Sequence, residues 1–132
     1  MSRVALVIRP CAVFILLIAA LLVAGQCNCT IGGVGNYHTM THVTATINAA
    51  RSLPAPVGWN NYPHYFGNAE GLALNASCRN NMLEFPLLRS GTYAGSSGPG
   101  QERVVYHGAT GAFCGCMTHN GAPNPNSFVL CR

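Results

Sequence analysis

The sequence predicts an α+β domain in which one helix packs across one face of an antiparallel sheet. One early segment has its apolar residues at helical spacing, and no helical period returns after it. Short apolar runs separated by Gly, Pro and Asn follow, as is typical of strands joined by turns. The 132 residues contain no internal repeat and no linker, so we expect one domain.

Residues 1–25 have the pattern of a signal peptide. Arg3 and Arg9 form a basic region, residues 11–24 are an unbroken apolar stretch, and small residues end it. A membrane anchor is the alternative, but a bilayer requires about 20 apolar residues and this stretch is shorter. The sequence therefore predicts a secreted, extracellular protein with a single domain over 26–132.

The helix is predicted over residues 41–53. Thr41 is the candidate N-cap, and Val43, Ile47 and Ala50 fall on one face at helical spacing. A proline-rich segment then ends the helix.

Polar side chains in the predicted strands suggest a site on one face of the sheet. The strands are predicted at 71–76, 82–88, 103–107, 112–119 and 127–131. Successive strand residues point to opposite faces, so if Val104 faces the helix, Arg103 faces away from it. Glu84 and Arg103 are the polar members of apolar strands, and His119 ends another. We expect these three residues to line the concave face from adjacent strands.

The cysteines indicate disulfides. Six remain after the predicted leader: Cys27, Cys29, Cys78, Cys114, Cys116 and Cys131. An even number in a small secreted domain favours disulfides, which six cysteines can form in 15 ways. Zinc is the alternative because two pairs have C-x-C spacing, but this spacing is not the usual one for structural zinc. By strand alternation, Cys114 and Cys116 are expected to share one face with Thr118.

The charge is low and mildly basic. All seven basic residues are Arg, and the three acidic residues are Glu. The chain after the predicted leader has a net charge of about +2, which is a mild bias and not a nucleic-acid-binding stripe. Charge alone therefore does not identify a partner.

Eight short segments follow one another in a specific order. They are Asn61-Tyr62-Pro63-His64, Glu70-Gly71, Glu84-Phe85-Pro86-Leu87, Ser90-Gly91, Gly98-Pro99-Gly100, Arg103-Val104-Val105-Tyr106, Thr118-His119-Asn120-Gly121-Ala122 and Phe128-Val129-Leu130-Cys131. With these spacings and a secretion signal, the chain resembles the fungal guanyl-specific ribonucleases over residues 41–132. The resemblance implies the microbial ribonuclease fold, in which a helix lies on a curved, disulfide-bonded antiparallel sheet. It also implies an endoribonuclease that cleaves single-stranded RNA by transesterification, without a metal or a cofactor.

The resemblance assigns roles to six catalytic positions: Tyr62, His64, Glu84, Arg103, His119 and Phe128. RNA supplies its own nucleophile, the ribose 2′-hydroxyl. Glu84 would take the proton of that hydroxyl while His119 protonates the leaving 5′-oxygen, giving a 2′,3′-cyclic phosphate. A charged His64 would keep Glu84 ionised, and Arg103 would stabilise the charge on the phosphorane. Tyr62 and Phe128 would pack around the transition state and polarise it. The remaining histidines are expected at the surface: His38, His42 and His107.

The resemblance also implies a guanine site in the loop after the Tyr-Pro-His segment. Its members would be Phe66 as a stacking residue, Glu70 as acceptor from the guanine N1 and N2 hydrogens, and two backbone contributors, Asn68 and Asn126. Ala69 stands where the family commonly has a second aromatic, and Gly67 replaces an Asn. Because aromatic stacking contributes roughly 1–3 kcal/mol per base, weaker guanine binding is expected. Cleavage 3′ of guanosine is predicted.

The resemblance further implies that Cys131 closes onto the N-terminal hairpin. Cys29 is the preferred partner, with Cys27 as the alternative. For Cys78 the candidate partners are Cys114 and Cys116, and the count of cysteines does not choose between them.

The predicted partner is single-stranded RNA. DNA binding and membrane association after removal of the leader are not expected, and the protein is predicted to be a monomer. One alternative is a ribonuclease-like effector that binds host RNA or protein with little or no catalysis, suggested by the altered base loop, the extra cysteines and the absence of Lys. A disulfide-rich structural protein would explain the cysteines but not the ordered polar residues. The intact catalytic set favours the enzyme.

Overall fold

The computed structural model describes residues 27–132, so the predicted signal peptide lies outside the described residues. The elements are β1 (Cys27–Asn28), β2 (Tyr37–His38), α1 (Met40–Ser52), β3 (His64–Tyr65), a 3₁₀ helix (Ala76–Cys78), β4 (Met82–Pro86), β5 (Glu102–His107), β6 (Phe113–Thr118) and β7 (Val129–Leu130). Strands β3 to β7 form a five-stranded antiparallel sheet in chain order, and β1 and β2 form a separate hairpin. The predicted α+β class is confirmed. None of the helices in the described part of the chain has the length and apolarity needed to span a bilayer.

Helix α1 begins before the predicted position. Thr39, and not Thr41, is the N-cap, because its Oγ1 accepts a hydrogen bond from the backbone N–H of His42 at 3.2 Å. The predicted apolar face is buried against the sheet: Val43, Ile47 and Ala50. The helix therefore covers the face of the sheet opposite to the predicted site.

The prediction of a strand over residues 71–76 is wrong. The side chain of Asn68 accepts from the N–H of Leu72 at 2.7 Å and donates to its carbonyl oxygen at 2.9 Å. Both backbone groups that a strand ladder would use at Leu72 are therefore bonded within the loop. Gly71 adds a φ of +66°, which interrupts an extended chain. Strand β3 takes the edge position beside β4 instead.

Two apolar clusters cover the two faces of the sheet. Phe85, Val104 and Tyr106 belong to the cluster under the helix. Val105 and Met117 belong to the cluster on the other face, together with the aromatic rings of two loops, Phe66 and Phe128. Val104 thus faces the helix, and its neighbour Arg103 faces away from it, as predicted.

A β-bulge in β6 separates two cysteines that were expected to share a face. Val105 pairs with Gly115 and Tyr106 pairs with Phe113, so Cys114 is the extra residue. Cys116 consequently packs in the cluster under the helix, whereas Cys114 packs in the opposite cluster. The expectation of a common face was wrong because the bulge breaks the strict alternation of the strand.

Three disulfides cross-link the described chain: Cys27–Cys116, Cys29–Cys131 and Cys78–Cys114. The first two join the N-terminal hairpin to β6 and to the residues after β7, across sequence separations of 89 and 102. Cross-links that close long loops restrict the unfolded chain most strongly. They hold the hairpin against the end of the sheet where β5 begins.

Candidate active site

Neighbouring strands bring the predicted chemical groups together. His64 on β3 lies directly opposite Glu84 on β4. Arg103 lies near the start of β5, the next strand. His119 follows β6, and its backbone N–H donates to the carbonyl oxygen of Gln101 at 2.9 Å, which continues the ladder by one residue. The residues predicted as base, cation and acid thus come from successive strands of one sheet.

Glu84 is a buried carboxylate with one oxygen free. Its side chain is 7% exposed, and Oε1 is hydrogen-bonded to Nε2 of His64. Its Oε2 is buried and has no hydrogen-bond partner within residues 27–132. A buried polar atom without a partner is costly, so it indicates a group kept ready for something that enters the site. A carboxylate oxygen of this kind can accept a proton from a bound hydroxyl.

Burial raises the pKa of Glu84, although three neighbouring cationic side chains oppose this shift: His64, Arg103 and His119. His64 lowers the pKa of Glu84, as expected, but burial raises this pKa by more than His64 lowers it. A raised pKa makes the ionised carboxylate a better proton acceptor near neutral pH.

His64 contacts an oxygen at each ring nitrogen. Nδ1 lies 2.8 Å from the carbonyl oxygen of Asn60, and Nε2 is hydrogen-bonded to Glu84. Both contacts are hydrogen bonds when His64 is an imidazolium beside an ionised Glu84, or when Glu84 carries the shared proton. The ring of Tyr62 stacks on the imidazole, with ring centroids 4.5 Å apart. Glu84 therefore has a proton-sharing partner that is held in a fixed orientation.

Arg103 is 3% exposed and is held by several hydrogen bonds. Its Nε donates to the hydroxyl of Tyr62 at 3.2 Å. Its Nη1 donates to three carbonyl oxygens at 2.8 to 3.2 Å: Pro99, Gly100 and Glu102. The guanidinium carbon lies 5.1 Å from the ring centroid of Tyr62 and 5.9 Å from that of Phe128. Nη2 makes no hydrogen bond within the described chain, so it can bind an anionic oxygen.

His119 is fixed in one tautomer by its neighbours. Nδ1 lies 2.8 Å from the carbonyl oxygen of Ser127 and therefore carries a proton toward it. The ring stacks on Phe128, with centroids 3.8 Å apart and an interplanar angle of 23°. The remaining nitrogen, Nε2, is the atom that can give or take a proton.

The residues of the predicted guanine site lie in two separate loops. Phe66 is buried, and its ring meets that of Phe128 edge to face at 6.0 Å, so it is part of the apolar cluster. The side chain of Asn68 is bonded to Leu72, and its backbone has a φ of +51°. Glu70 is exposed and makes no hydrogen bond or ion pair within residues 27–132. Asn126 is exposed, and its N–H donates to Oδ1 of Asn124 at 3.1 Å.

Some parts of the site were not found from the sequence. Backbone carbonyls of Asn60 and Ser127 orient the two histidines, and carbonyls of residues 99, 100 and 102 hold Arg103. Every residue type has a carbonyl group, so no sequence signal marks these positions. Only the fold reveals them.

A second buried Glu–His pair lies at the start of β5. Nε2 of His38 is 2.5 Å from Oε2 of Glu102, and the backbone N–H of Asn36 donates to Oε1 at 2.7 Å. The expected surface position of His38 was therefore wrong, because Glu102 draws its ring inward. Burial acts to raise the pKa of Glu102, but the hydrogen bonds from His38 and Asn36 together lower it below its usual value.

Cys29 lies close enough to His38 and Glu102 for the three side chains to resemble a metal site. Its sulfur is bonded to Cys131, however, and is therefore not a thiolate ligand.

The fold and this arrangement of a buried carboxylate, a histidine and an arginine match what a phosphodiester-cleaving site requires. The chain matches the ribonuclease family over residues 24–132 and belongs to that family. Guanyl-specific ribonuclease U1 of Ustilago sphaerogena is 41% identical over 98 residues, which cover 74% of this chain and 90% of that protein. Guanyl-specific ribonuclease Pc of Penicillium chrysogenum is 37% identical over 106 residues, covering 80% of this chain and 98% of that protein. The family predicted from the sequence segments is confirmed, and a noncatalytic effector is not favoured.

Proposed function

We propose that this protein is a secreted endoribonuclease that cleaves single-stranded RNA 3′ of guanosine and leaves a 2′,3′-cyclic phosphate. The observation that carries the proposal is the free, buried Oε2 of Glu84 on the face of the sheet that also presents His119 and Arg103. Membership in the ribonuclease family supports the reaction, and the guanyl-specific relatives support the base preference.

The first step joins the 2′-oxygen to phosphorus. Oε2 of Glu84 accepts the proton of the 2′-hydroxyl as the 2′-oxygen attacks, and Nε2 of His119 donates a proton to the departing 5′-oxygen. Each proton transfer contributes about 10²–10⁴-fold to the rate. Nη2 of Arg103 binds a nonbridging oxygen, where negative charge grows in the transition state. The second step reverses these roles, because water attacks the cyclic phosphate with its proton passing to His119.

His64 and Tyr62 support this chemistry without exchanging atoms with the substrate. His64 shares a proton with Glu84, so it keeps the carboxylate in one orientation beside the substrate. Tyr62 bonds to Arg103 and stacks on His64, which fixes the cation and the base relative to each other. Phe128 packs on the imidazole of His119 and keeps water from one side of the acid.

Guanine is proposed to bind at the loop of residues 66–70. Glu70, exposed and unpaired in the described chain, would accept from the N1 and N2 hydrogens of guanine, and Asn68 and Asn126 would contribute backbone groups. Phe66, which is buried against Phe128, would offer only part of one aromatic surface, and Ala69 provides none on the other side. We therefore expect guanine preference with weaker base binding than two aromatic walls would give.

Secretion and the substrate class rest on the following observations. A leader of the signal-peptide pattern precedes the domain, and three disulfides require an oxidising compartment. DNA is not cleaved in this scheme because it lacks the 2′-hydroxyl that acts as nucleophile. Membrane contact and self-association play no part in it, and we propose that the protein acts as a monomer.

The test is cleavage of the dinucleotides GpC, ApC, UpC and CpC by the oxidised, folded protein. We expect cyclic GMP from GpC, much slower cleavage of the other three, and loss of the activity in His119→Ala. His107→Ala is the matched control, because its Nδ1 accepts turn N–H groups and the residue lies outside the site. Equal cleavage of all four dinucleotides would overturn the guanine site and keep the chemistry. No cleavage by the folded protein would overturn the enzyme.

A further inference from the structure

The chain contains one tryptophan, Trp59, and its side chain is almost fully in solvent. Its exposed fraction is 97%, the highest of the large apolar residues in the described chain. Exposure alone does not indicate a function, because single apolar side chains are common on protein surfaces. The position of Trp59 and the rigidity of its turn are the informative features.

Trp59 lies at the tip of a tight turn. Val57 and Tyr62 exchange two backbone hydrogen bonds of 2.8 and 2.9 Å, and the N–H of Asn61 donates to the carbonyl oxygen of Gly58 at 3.2 Å. Gly58 has a φ of +78°, and a Cβ atom there would lie 2.1 Å from the hydroxyl of Tyr93. The turn is therefore packed against its neighbours at its base, and only its tip is free. The backbone that carries the ring therefore loses little conformational entropy when the ring binds a ligand.

Residues of the same turn contact two of the proposed catalytic side chains, His64 and Arg103. The residue after Trp59, Asn60, binds His64 through its carbonyl oxygen at 2.8 Å. Tyr62, at the end of the turn, stacks its ring on His64, and its hydroxyl oxygen accepts a hydrogen bond from Nε of Arg103. Trp59 is thus the sequence neighbour of a residue that contacts His64, the hydrogen-bond partner of Glu84.

The turn and the proposed guanine loop lie at opposite ends of β3. Residues 57–62 precede the strand and residues 66–70 follow it, and the strand itself has only two residues at about 3.3 Å each. Guanosine is on the 5′ side of the bond that is cleaved. If its base binds after β3, the nucleotide on the 3′ side extends toward the turn before β3.

The surface charge of the described chain does not oppose a polyanion as the occupant. Two of the three glutamates, Glu84 and Glu102, are buried, so Glu70 is the one exposed acidic side chain of residues 27–132. Four arginines are exposed: Arg51, Arg79, Arg89 and Arg132. An exposed aromatic ring is a group on which unpaired bases of a nucleic acid stack.

We propose that Trp59 is a stacking platform for the base of the leaving nucleotide, on the 3′ side of the cleaved phosphate. The proposal rests on the function proposed above. The leaving base stacks on the indole ring while its ribose and phosphate lie beside His119 and Arg103. Because purines present the larger face, GpA gains more than GpU from this contact.

Fluorescence tests the contact without catalysis, since the single tryptophan is the reporter. The probe is the dinucleotide of 2′-deoxyguanosine and adenosine, which lacks the attacking hydroxyl and cannot be cleaved. We expect saturable quenching by this dinucleotide and no quenching by guanosine 3′-monophosphate, which has no leaving nucleotide. Absence of quenching at concentrations where the dinucleotide competes with guanosine 3′-monophosphate would overturn the proposal. So would equal quenching by both ligands.

Kinetics test it independently. We expect Trp59→Ala to lower kcat/KM for GpA by at least about fivefold relative to kcat/KM for hydrolysis of 2′,3′-cyclic GMP, which has no leaving base. Trp59→Phe should recover most of the loss, and Tyr37→Ala, which removes a 53% exposed aromatic from the N-terminal hairpin, is the matched control. An unchanged GpA rate, or equal losses with both substrates, would overturn the platform. A wild-type protein that cleaves neither substrate would instead contradict the proposed function, and the fluorescence experiment would still decide the platform.

Discussion

Oε1 of Glu84 and Nε2 of His64 share one hydrogen bond across the pairing of β3 and β4, and the second oxygen of Glu84 has no partner in the described chain. One oxygen is thus held in position while the other remains able to receive a proton. This division within a single carboxylate is the reason to treat Glu84 as a base and not as half of a structural ion pair.

Removing the base should stop the reaction while the fold is kept. We expect Glu84→Gln to lower kcat/KM for GpC by about 10²–10⁴-fold, because the amide cannot accept the 2′-hydroxyl proton. A neutral amide of the same shape is easier to bury than a carboxylate, so the free energy of unfolding should change little. Steady-state kinetics and a thermal melt of the same sample check both statements. A rate equal to that of the wild type would remove Glu84 from the mechanism.

The pH profile should carry the signature of the buried carboxylate. Because burial raises the pKa of Glu84, the acidic limb of kcat/KM should lie above pH 4.5, the ordinary value for this group. The rate rises as pH increases through this limb, since the base works only when ionised.

His64→Gln should move that acidic limb to still higher pH, because it removes a positive charge that lowers the pKa of Glu84. The measurement is kcat/KM for GpC between pH 3 and 9, with His107→Ala as the histidine control. A limb that stays in place, or moves to lower pH, would contradict the electrostatic role of His64.

The hydroxyl of Tyr62 should matter for both stability and rate. Tyr62→Phe leaves Nε of the buried Arg103 without its acceptor, which costs about 1–3 kcal/mol of unfolding free energy. We also expect a lower kcat with little change in KM, because the guanidinium loses part of its orientation. Tyr106→Phe is the control, since its ring is equally buried but its hydroxyl makes no hydrogen bond within residues 27–132. Urea unfolding that gives equal stabilities for the two variants would contradict the claim.

The buried pair of Glu102 and His38 should make the free energy of unfolding depend on pH in the acidic range. The pKa of Glu102 is lowered in the folded protein, so the unfolded chain binds its proton first as pH falls below about 4.5. Glu102 therefore stabilises the folded protein above about pH 4.5. This stabilisation is lost as the pH falls through the pKa that Glu102 has in the folded protein.

Unfolding by urea at pH 6, 4.5 and 3 measures this effect. The stability difference between wild type and Glu102→Gln should shrink toward low pH. Glu84, whose pKa is raised, acts in the opposite sense in both proteins and cancels in that difference. A difference that is constant over this range would show that the carboxylate contributes no pH-dependent stability.

The order of short motifs was enough to predict the family and the helix-on-sheet class, because the polar residues of this site stand within or at the ends of apolar strands. The strand predicted at 71–76 failed for a local reason, since Asn68 bonds the backbone of Leu72 from inside the loop. The bulge at Cys114 could not be foreseen either, because it depends on the register of β5 against β6. The carbonyls that orient His64 and His119 are invisible in a sequence, and the burial of His38 follows from a carboxylate that is distant along the chain.

The bond between Cys29 and Cys131 has a consequence for where the protein can act. Phe128, which stacks on the imidazole of His119, lies three residues before Cys131, so the disulfide ties the segment that supports this imidazole to the N-terminal hairpin. Reduction of the bond releases that segment. We expect the capacity to cut RNA to be weak wherever thiols are kept reduced and full only in an oxidising compartment.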